Sequence, residues 1–396
     1  MDTFLFAART SWHVFSNEIS TLEENLRSKG ISLINLSETN PTRCDFSFYK
    51  KIDFSAIFLN EIDLNYAPVA QGAHFTRSAI MEYYRAKQLH VSLENIFLTA
   101  SSSESYSHLM RLFCDNSDEI VVPSPSYPLL EYICSLNDVV VKQYDLKYDG
   151  EWRVDFDSVK KNINHRTKAI VIINPNNPTG SFLNEEEWLN IQKIAEQHSC
   201  AIILDEVFTD YTWSGAVPFA LHANPNVLLF RLNGISKMLA LPQGKLGWIS
   251  IEGKKEIVQK AANRLEIICD TFLSVNTAIQ SAFPSLMKYR AVIQTEISHR
   301  IQSNYFQLQS EFQNTSVAVL QTQGGWCAIL RLPNLFTDEQ WVKKIMQEEN
   351  VIVHPGYFYD CTAGIFIVVS LVVQESVFHI GIQRIKNNVE NVHCRK

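Results

Sequence analysis

Short, unbroken apolar runs recur through the middle of this chain. They are IVVPSPSYP (residues 120–128), AIVIINP (169–175), AIILDE (201–206) and VLLFRL (227–232). Runs of this length without polar alternation predict strands buried on both faces. Between two of them lies EEEWLNIQKIAEQHS (185–199), whose apolar positions fall at helical spacing. Strands that alternate with helices predict an α/β domain around a mostly parallel, doubly wound sheet. Ligands of such sheets gather at the carboxyl ends of the strands.

The last hundred residues follow a different rhythm. Residues 316–320, 326–332, 351–355 and 365–373 predict short strands with helices between and after them, a smaller α+β domain. ISLINLSE (31–38) reads as an edge strand that brings the N-terminal segment onto it. The expected division is an N-terminal segment (1–44) packed on the small domain, a large domain (45–300) and a small C-terminal domain (301–396). Residues 276–312 predict one long helix joining the lobes, interrupted near Pro284.

Composition narrows the function. The 396 residues are 46% hydrophobic and 19% charged, an ordinary globular balance, with a net charge of −7. An acidic chain without a basic face is a poor match for nucleic acid. Eight cysteines are scattered with no C-x-x-C pair and no zinc-type spacing, which predicts free thiols in a reducing compartment and no metal site. The N-terminus has no basic segment followed by a long apolar one, and no apolar run is long enough to cross a bilayer. A cytoplasmic protein without a membrane partner is expected.

Three segments carry the chemistry: NPNNPTG (174–180), ILDEVF (203–208) and GISKMLALPQGKLGW (234–248). They offer an amide at Asn177, a carboxylate at Asp205 and an amine at Lys237, each at a strand end. A pyridoxal phosphate site needs that set. The lysine forms the Schiff base, the carboxylate keeps the pyridine nitrogen protonated, and the amide bonds the ring hydroxyl. Twenty-eight residues separate Asn177 from Asp205, and thirty-two separate Asp205 from Lys237. Each gap holds one helix and one strand. Every member has a plainer reading too: a solvated lysine, an aspartate that caps a helix or pairs with a cation, and an Asn-Pro turn. Apolar neighbours around Lys237 would lower its pKa and favour imine chemistry.

Ser101, Ser102 and Ser103 follow the strand-like IFLTA and precede a helical stretch. They read as a phosphate cradle at a helix N-terminus, or as simple caps. Tyr127 lies just past a strand end, placed either to stack on a flat ring or to fill the core. Tyr66 is a further candidate, reaching a phosphate across a dimer interface.

Taken in order, these stretches resemble the class I/II aminotransferases, the fold-type I pyridoxal phosphate enzymes. The matching motifs are Y-x-P-x-x-G (66–72), P-S-Y-P (125–128), N-N-P-T-G (176–180), D-E-V (205–207), S-K (236–237), L-G-W (246–248) and G-G-W (324–326). The resemblance covers nearly the whole chain. It implies an aspartate-aminotransferase-like fold and a homodimer with shared active sites. It implies Lys237 as Schiff-base lysine and proton shuttle, Asp205 at the pyridine nitrogen, Asn177 at the ring oxygen, and Tyr127 stacked on the ring. Ser101 to Ser103, Ser236 and Lys245 would surround the phosphate. Asn40, Arg43 and Trp326 are candidates for contact with substrate.

Four positions depart from the family pattern. Phe208 stands where a tyrosine usually shares the ring oxygen, leaving Tyr211 as a possible substitute donor. Gly234 replaces a phosphate-binding serine, and Lys245 replaces an arginine, a point charge in place of a fork. Val368 stands where an arginine grips the substrate α-carboxylate, and a valine cannot pair a carboxylate. Arg43 is the expected replacement cation. The expected activity is transfer of an amino group between an amino acid and a 2-oxo acid. The alternatives are a lyase or other carbanion chemistry on an atypical amino substrate, and a non-catalytic regulator. Regulators of this fold carry an N-terminal DNA-binding domain, whereas this acidic chain starts almost directly at the catalytic fold.

Overall fold

The computed structural model describes residues 6–12, 17–60, 67–213 and 219–393. Tyr66 lies outside them. The main sheet has eight strands in the order Ile96–Thr99, Gly247–Glu252, Leu229–Gly234, Ala201–Asp205, Thr167–Ile173, Glu119–Ser124, Val140–Tyr148 and Trp152–Val154. The run from Leu229–Gly234 to Val140–Tyr148 is parallel throughout. Gly247–Glu252 runs antiparallel to both its neighbours, and Trp152–Val154 is an antiparallel edge.

Strand geometry explains why the apolar runs are unbroken. Successive side chains point to opposite faces. Ala169, Val171, Ala201 and Ile203 join one apolar cluster with Leu109, Val258 and Leu265. Their neighbours Ile170, Ile172, Ile202 and Leu204 join another with Trp188, Ile191 and Ile194. The helices Ser102–Phe113 and Lys255–Phe272 cover the first face and Glu185–His198 the second. The last of these begins at Asn184, whose side chain accepts from the Glu187 N–H while Glu187 bonds back, a reciprocal cap.

The C-terminal region forms a four-stranded antiparallel sheet in the order Ala318–Val319, Cys327–Arg331, Phe366–Ser370, His354–Pro355. The edge strand expected over residues 31–38 is only Ile34–Asn35, paired in parallel with Val351–Ile352. Its partner offers no more than two residues.

Residues 276–312 form two helices, not one. Thr277–Met287 contains Pro284 in its interior, and the break falls after it, before Arg290–Phe312. A proline leaves the carbonyl four residues earlier without its helical donor. Here that carbonyl belongs to Gln280, and the Thr76 hydroxyl donates to it at 2.8 Å. The defect is mended from a neighbouring helix, so the chain need not bend there.

Candidate active site

Strand register assembles the site. Ile173 lies opposite Asp205, and Asp205 opposite Leu232, two residues before Gly234. Gly234 lies opposite Gly247, and Gly247 opposite Thr99. Three neighbouring strands therefore deliver Asn174, Asp205 and the lysine turn to one end of the sheet, and Ile96–Thr99, beyond Gly247–Glu252, brings the serine run to the same end.

Asp205 is buried, 7% exposed. Its Oδ1 accepts the Val207 N–H at 3.1 Å and its Oδ2 accepts the Tyr106 hydroxyl at 3.0 Å. No cation lies within ion-pair distance of it among the described residues. Burial pushes its carboxyl up to about 6, and the two hydrogen bonds oppose that rise. A buried carboxylate without a counter-charge is costly, and a protonated ring nitrogen would supply one.

Lys237 lies in the short helix Ile235–Met238, entered through Gly234. A Cβ at 234 would stand 2.9 Å from the Leu246 carbonyl oxygen, so the family's serine has no room there. The Lys237 amine sits 4.6 Å from the ring centre of Trp326 and 5.3 Å from that of Phe208. It has no carboxylate partner among the described residues. Loss of water lowers its pKa to about 8, despite opposing influence from Cys327, Cys44 and Glu38. Carbonyls of the turn are clamped from three distant parts of the chain. The Tyr211 hydroxyl donates to Lys237 O at 2.7 Å, and Gln294 Nε2 to Met238 O at 3.1 Å. The Tyr49 hydroxyl donates to Ala240 O. Tyr211 is therefore committed to the backbone and does not replace the hydroxyl missing from Phe208.

The N-N-P-T-G loop separates its two asparagines by task. Asn176 is buried and donates to Pro125 O and Thr179 Oγ1, both at 3.0 Å, which ties this loop to the one bearing Tyr127. Asn177 is half-buried and makes no side-chain hydrogen bond among the described residues. Gly180 has φ +66°, and a Cβ there would meet Thr322 Oγ1 and Gly324 O well inside contact distance. Only glycine lets this loop pack on the G-G-W segment.

Tyr127 is 41% exposed, so it is not a core residue; its phenol pKa is raised, first by burial and then by the charge of Asp205. Ser101 caps the helix Ser102–Phe113 by accepting the Glu104 N–H at 3.2 Å. Ser102, Ser103 and Ser236 are half-buried. Lys245 is exposed, in a left-handed turn with φ +54°, and makes no ion pair among the described residues.

Trp326 and Val368 come from the C-terminal region, and Asn40 and Arg43 from the N-terminal segment. Val368 is 2% exposed and belongs to an apolar cluster with Trp152, Cys327 and Tyr359. Arg43 is turned outward, its side chain 73% exposed and 3.5 Å from Glu38. Asn40 holds the turn Pro41–Arg43, accepting the Thr42 N–H and hydroxyl. Tyr106, Gln294 and Tyr49 were not singled out by sequence. Nothing local marks them, because their partners lie 99, 56 and 191 residues away.

This donor set fits pyridoxal phosphate: an unpaired buried carboxylate, a free amide, a desolvated amine and a helix N-terminus converge from one sheet edge. Asp205 would hold the ring nitrogen, Asn177 the ring oxygen, and Ser101 to Ser103 with Ser236 and Lys245 the phosphate. When bound, the cofactor supplies an electron sink for a carbanion at the substrate α-carbon. Such a fold and such a site define a fold-type I pyridoxal phosphate enzyme.

Sequence and structure comparisons agree. Residues 57–381 match the model of aminotransferase class I and II; the chain belongs to that family and is a pyridoxal phosphate-dependent transferase. It is 29% identical over 306 residues to the glutamate-pyruvate aminotransferase AlaA of Haemophilus influenzae, covering 72% of this chain and 73% of that one. The match to the Escherichia coli AlaA, also 29% identical, covers 67% of this chain and spans 65% of the relative's length. The alanine aminotransferase of Pyrococcus furiosus superimposes with a TM-score of 0.83 at 22% identity, covering 94% of this chain and 96% of that one. That last likeness concerns the fold alone.

Proposed function

We propose that the protein transfers an amino group between an amino acid and a 2-oxo acid, with Lys237 as Schiff-base lysine and proton carrier. The observation that carries this is the Lys237 amine. It is desolvated, unpaired with any carboxylate among the described residues, and at a strand end beside the one that bears the unpaired Asp205. An amine with a pKa of about 8 is partly neutral near pH 7, so it can attack a carbonyl and then accept and return a proton. The rings of Phe208 and Trp326 flank it. Asp205 would keep the ring nitrogen charged, and Asn177 would donate to the ring oxygen.

Arg43 is our candidate for the substrate carboxylate. Support comes from its pairing with Glu38, whose charge is felt at Lys237. An exposed ion pair of this kind is worth at most about 1 kcal/mol, so the guanidinium is free to turn. A homodimer is also part of the proposal. Val69, Phe75 and Leu273 are exposed apolar side chains lining one cavity of about 350 Å³, a face that a second copy would cover. The seven described cysteines are all free, which suits a reducing, cytoplasmic setting. No described helix is long and apolar enough to cross a membrane.

The test is a single-turnover spectrum of the loaded enzyme against a panel of amino acids. Transfer predicts loss of the visible band of the lysine-bound cofactor, with release of the matching 2-oxo acid. Return of the original band without a 2-oxo acid would overturn transfer in favour of a lyase. Lys237→Ala should lack the covalent band altogether.

A further inference from the structure

We propose that Tyr106 is a positioning residue that aims the Asp205 carboxylate and holds it in its charged form for the cofactor's ring nitrogen. The proposal rests on the pyridoxal phosphate reading of the site. Asp205 has two oxygens and, among the described residues, two neutral donors, one for each. One donor is the backbone N–H of Val207, which almost any residue there would provide. The other is the Tyr106 hydroxyl, and it alone depends on a side chain.

Tyr106 is 3% exposed and packs in an apolar cluster with Leu109, Ile120 and Val122. A phenylalanine would fill nearly the same space. A buried hydroxyl is unfavourable unless it is bonded, and the bond given to this one is the 3.0 Å contact with Asp205 Oδ2. The phenol itself is held well above its ordinary pKa, first by burial and then by the Asp205 charge, so it stays a donor across the working pH range. A donor to a carboxylate favours the ionised state. Without it, burial opposed only by the Val207 N–H would push the Asp205 carboxyl further towards its neutral form. An uncharged Asp205 could not stabilise a protonated ring nitrogen.

Position adds a second consequence. Tyr106 lies on Ser102–Phe113, the helix whose N-terminus carries the serine run. The group that orients the carboxylate and the candidate phosphate cradle therefore share one rigid element.

The experiment measures the pyridoxal phosphate dissociation constant of wild type and Tyr106→Phe between pH 5.5 and 9, by the visible band. In wild type, affinity should fall as pH drops through about 6. In Tyr106→Phe, the midpoint should move up by about one unit, so that binding is about twofold weaker near pH 7, about fivefold weaker near pH 6 and approaches tenfold weaker below that, with convergence at high pH. Equal affinity at every pH would overturn the proposal. So would an equal loss at every pH, since that is the mark of disturbed packing.

The cofactor-free protein gives a separate readout. The pH dependence of its urea midpoint should show the same one-unit displacement in Tyr106→Phe, and the inflection should vanish in Asp205→Asn. If wild type bound no cofactor while this displacement appeared, the cofactor reading would fail and the Tyr106–Asp205 coupling would stand. If the displacement were absent, the coupling itself would be refuted.

Discussion

The Tyr211 hydroxyl donates to the backbone carbonyl of Lys237 across 2.7 Å. Tyr211 is fully buried, so Tyr211→Phe leaves a carbonyl without its partner. A loss of about 1–3 kcal/mol is expected in urea unfolding. Because the bond fixes the turn and not the substrate, kcat should fall more than KM rises.

The cofactor-free protein should gain stability from Asp205→Asn. Folding raises the aspartate from 3.8 to about 6. Between those pH values the folded state holds the extra proton, so stability falls as pH rises through that window. Above it the whole penalty is present. The amide removes the penalty while still bonding Val207 and Tyr106, giving on the order of 1–3 kcal/mol at pH 7. Thermal melting checks it, and cofactor affinity should drop in the same variant.

Lys237 has the opposite sign. Its folded pKa is lowered from 10.5 to about 8, so the unfolded chain binds more protons between those values. Stability should rise with pH across that interval. Lys237→Met should flatten this slope in urea titrations of the cofactor-free protein. The rate of covalent cofactor attachment should increase as pH approaches 8 and level off above it.

Phe208→Tyr adds a hydroxyl beside the amine, whose nitrogen is 5.3 Å from the ring centre. It should restore a second donor to the ring oxygen and lower the pH at which the visible band protonates. Spectrophotometric titration of the loaded enzyme measures this. An unchanged titration would place position 208 away from the ring oxygen.

Arg43→Ala should raise KM for the amino acid with little change in kcat, and Glu38→Gln should lower KM by freeing the guanidinium. Steady-state kinetics on both variants decides. If KM stays put in each, the carboxylate is held elsewhere.

Sequence exposed the parts of this site that sit at the ends of apolar runs. Asp205 and Lys237 could be read because buried strands are continuous and polar residues at their ends are conspicuous. What it could not expose depends on distant pairing. Tyr106 looks like one more core aromatic until register brings Asp205 to it. Pro284 looks like a helix break until Thr76 is seen bonding Gln280 O. Tyr211 looked available for the ring oxygen, and only the fold shows its hydroxyl already taken. Val368 was legible as a departure, but its enclosure by Trp152, Cys327 and Tyr359 was not.

The clamp on the lysine turn bears on how the protein is made. Tyr49, Tyr211 and Gln294 all hold residues 237–240, and Trp326 covers the amine from further along still. A ribosome that has just released Lys237 has not yet produced Gln294 or Trp326. The parallel strands from Val140–Tyr148 to Leu229–Gly234 can pair before those residues exist, with the lysine turn still unclamped. The competent site is thus among the last things to form, and cofactor capture during refolding would time the end of assembly.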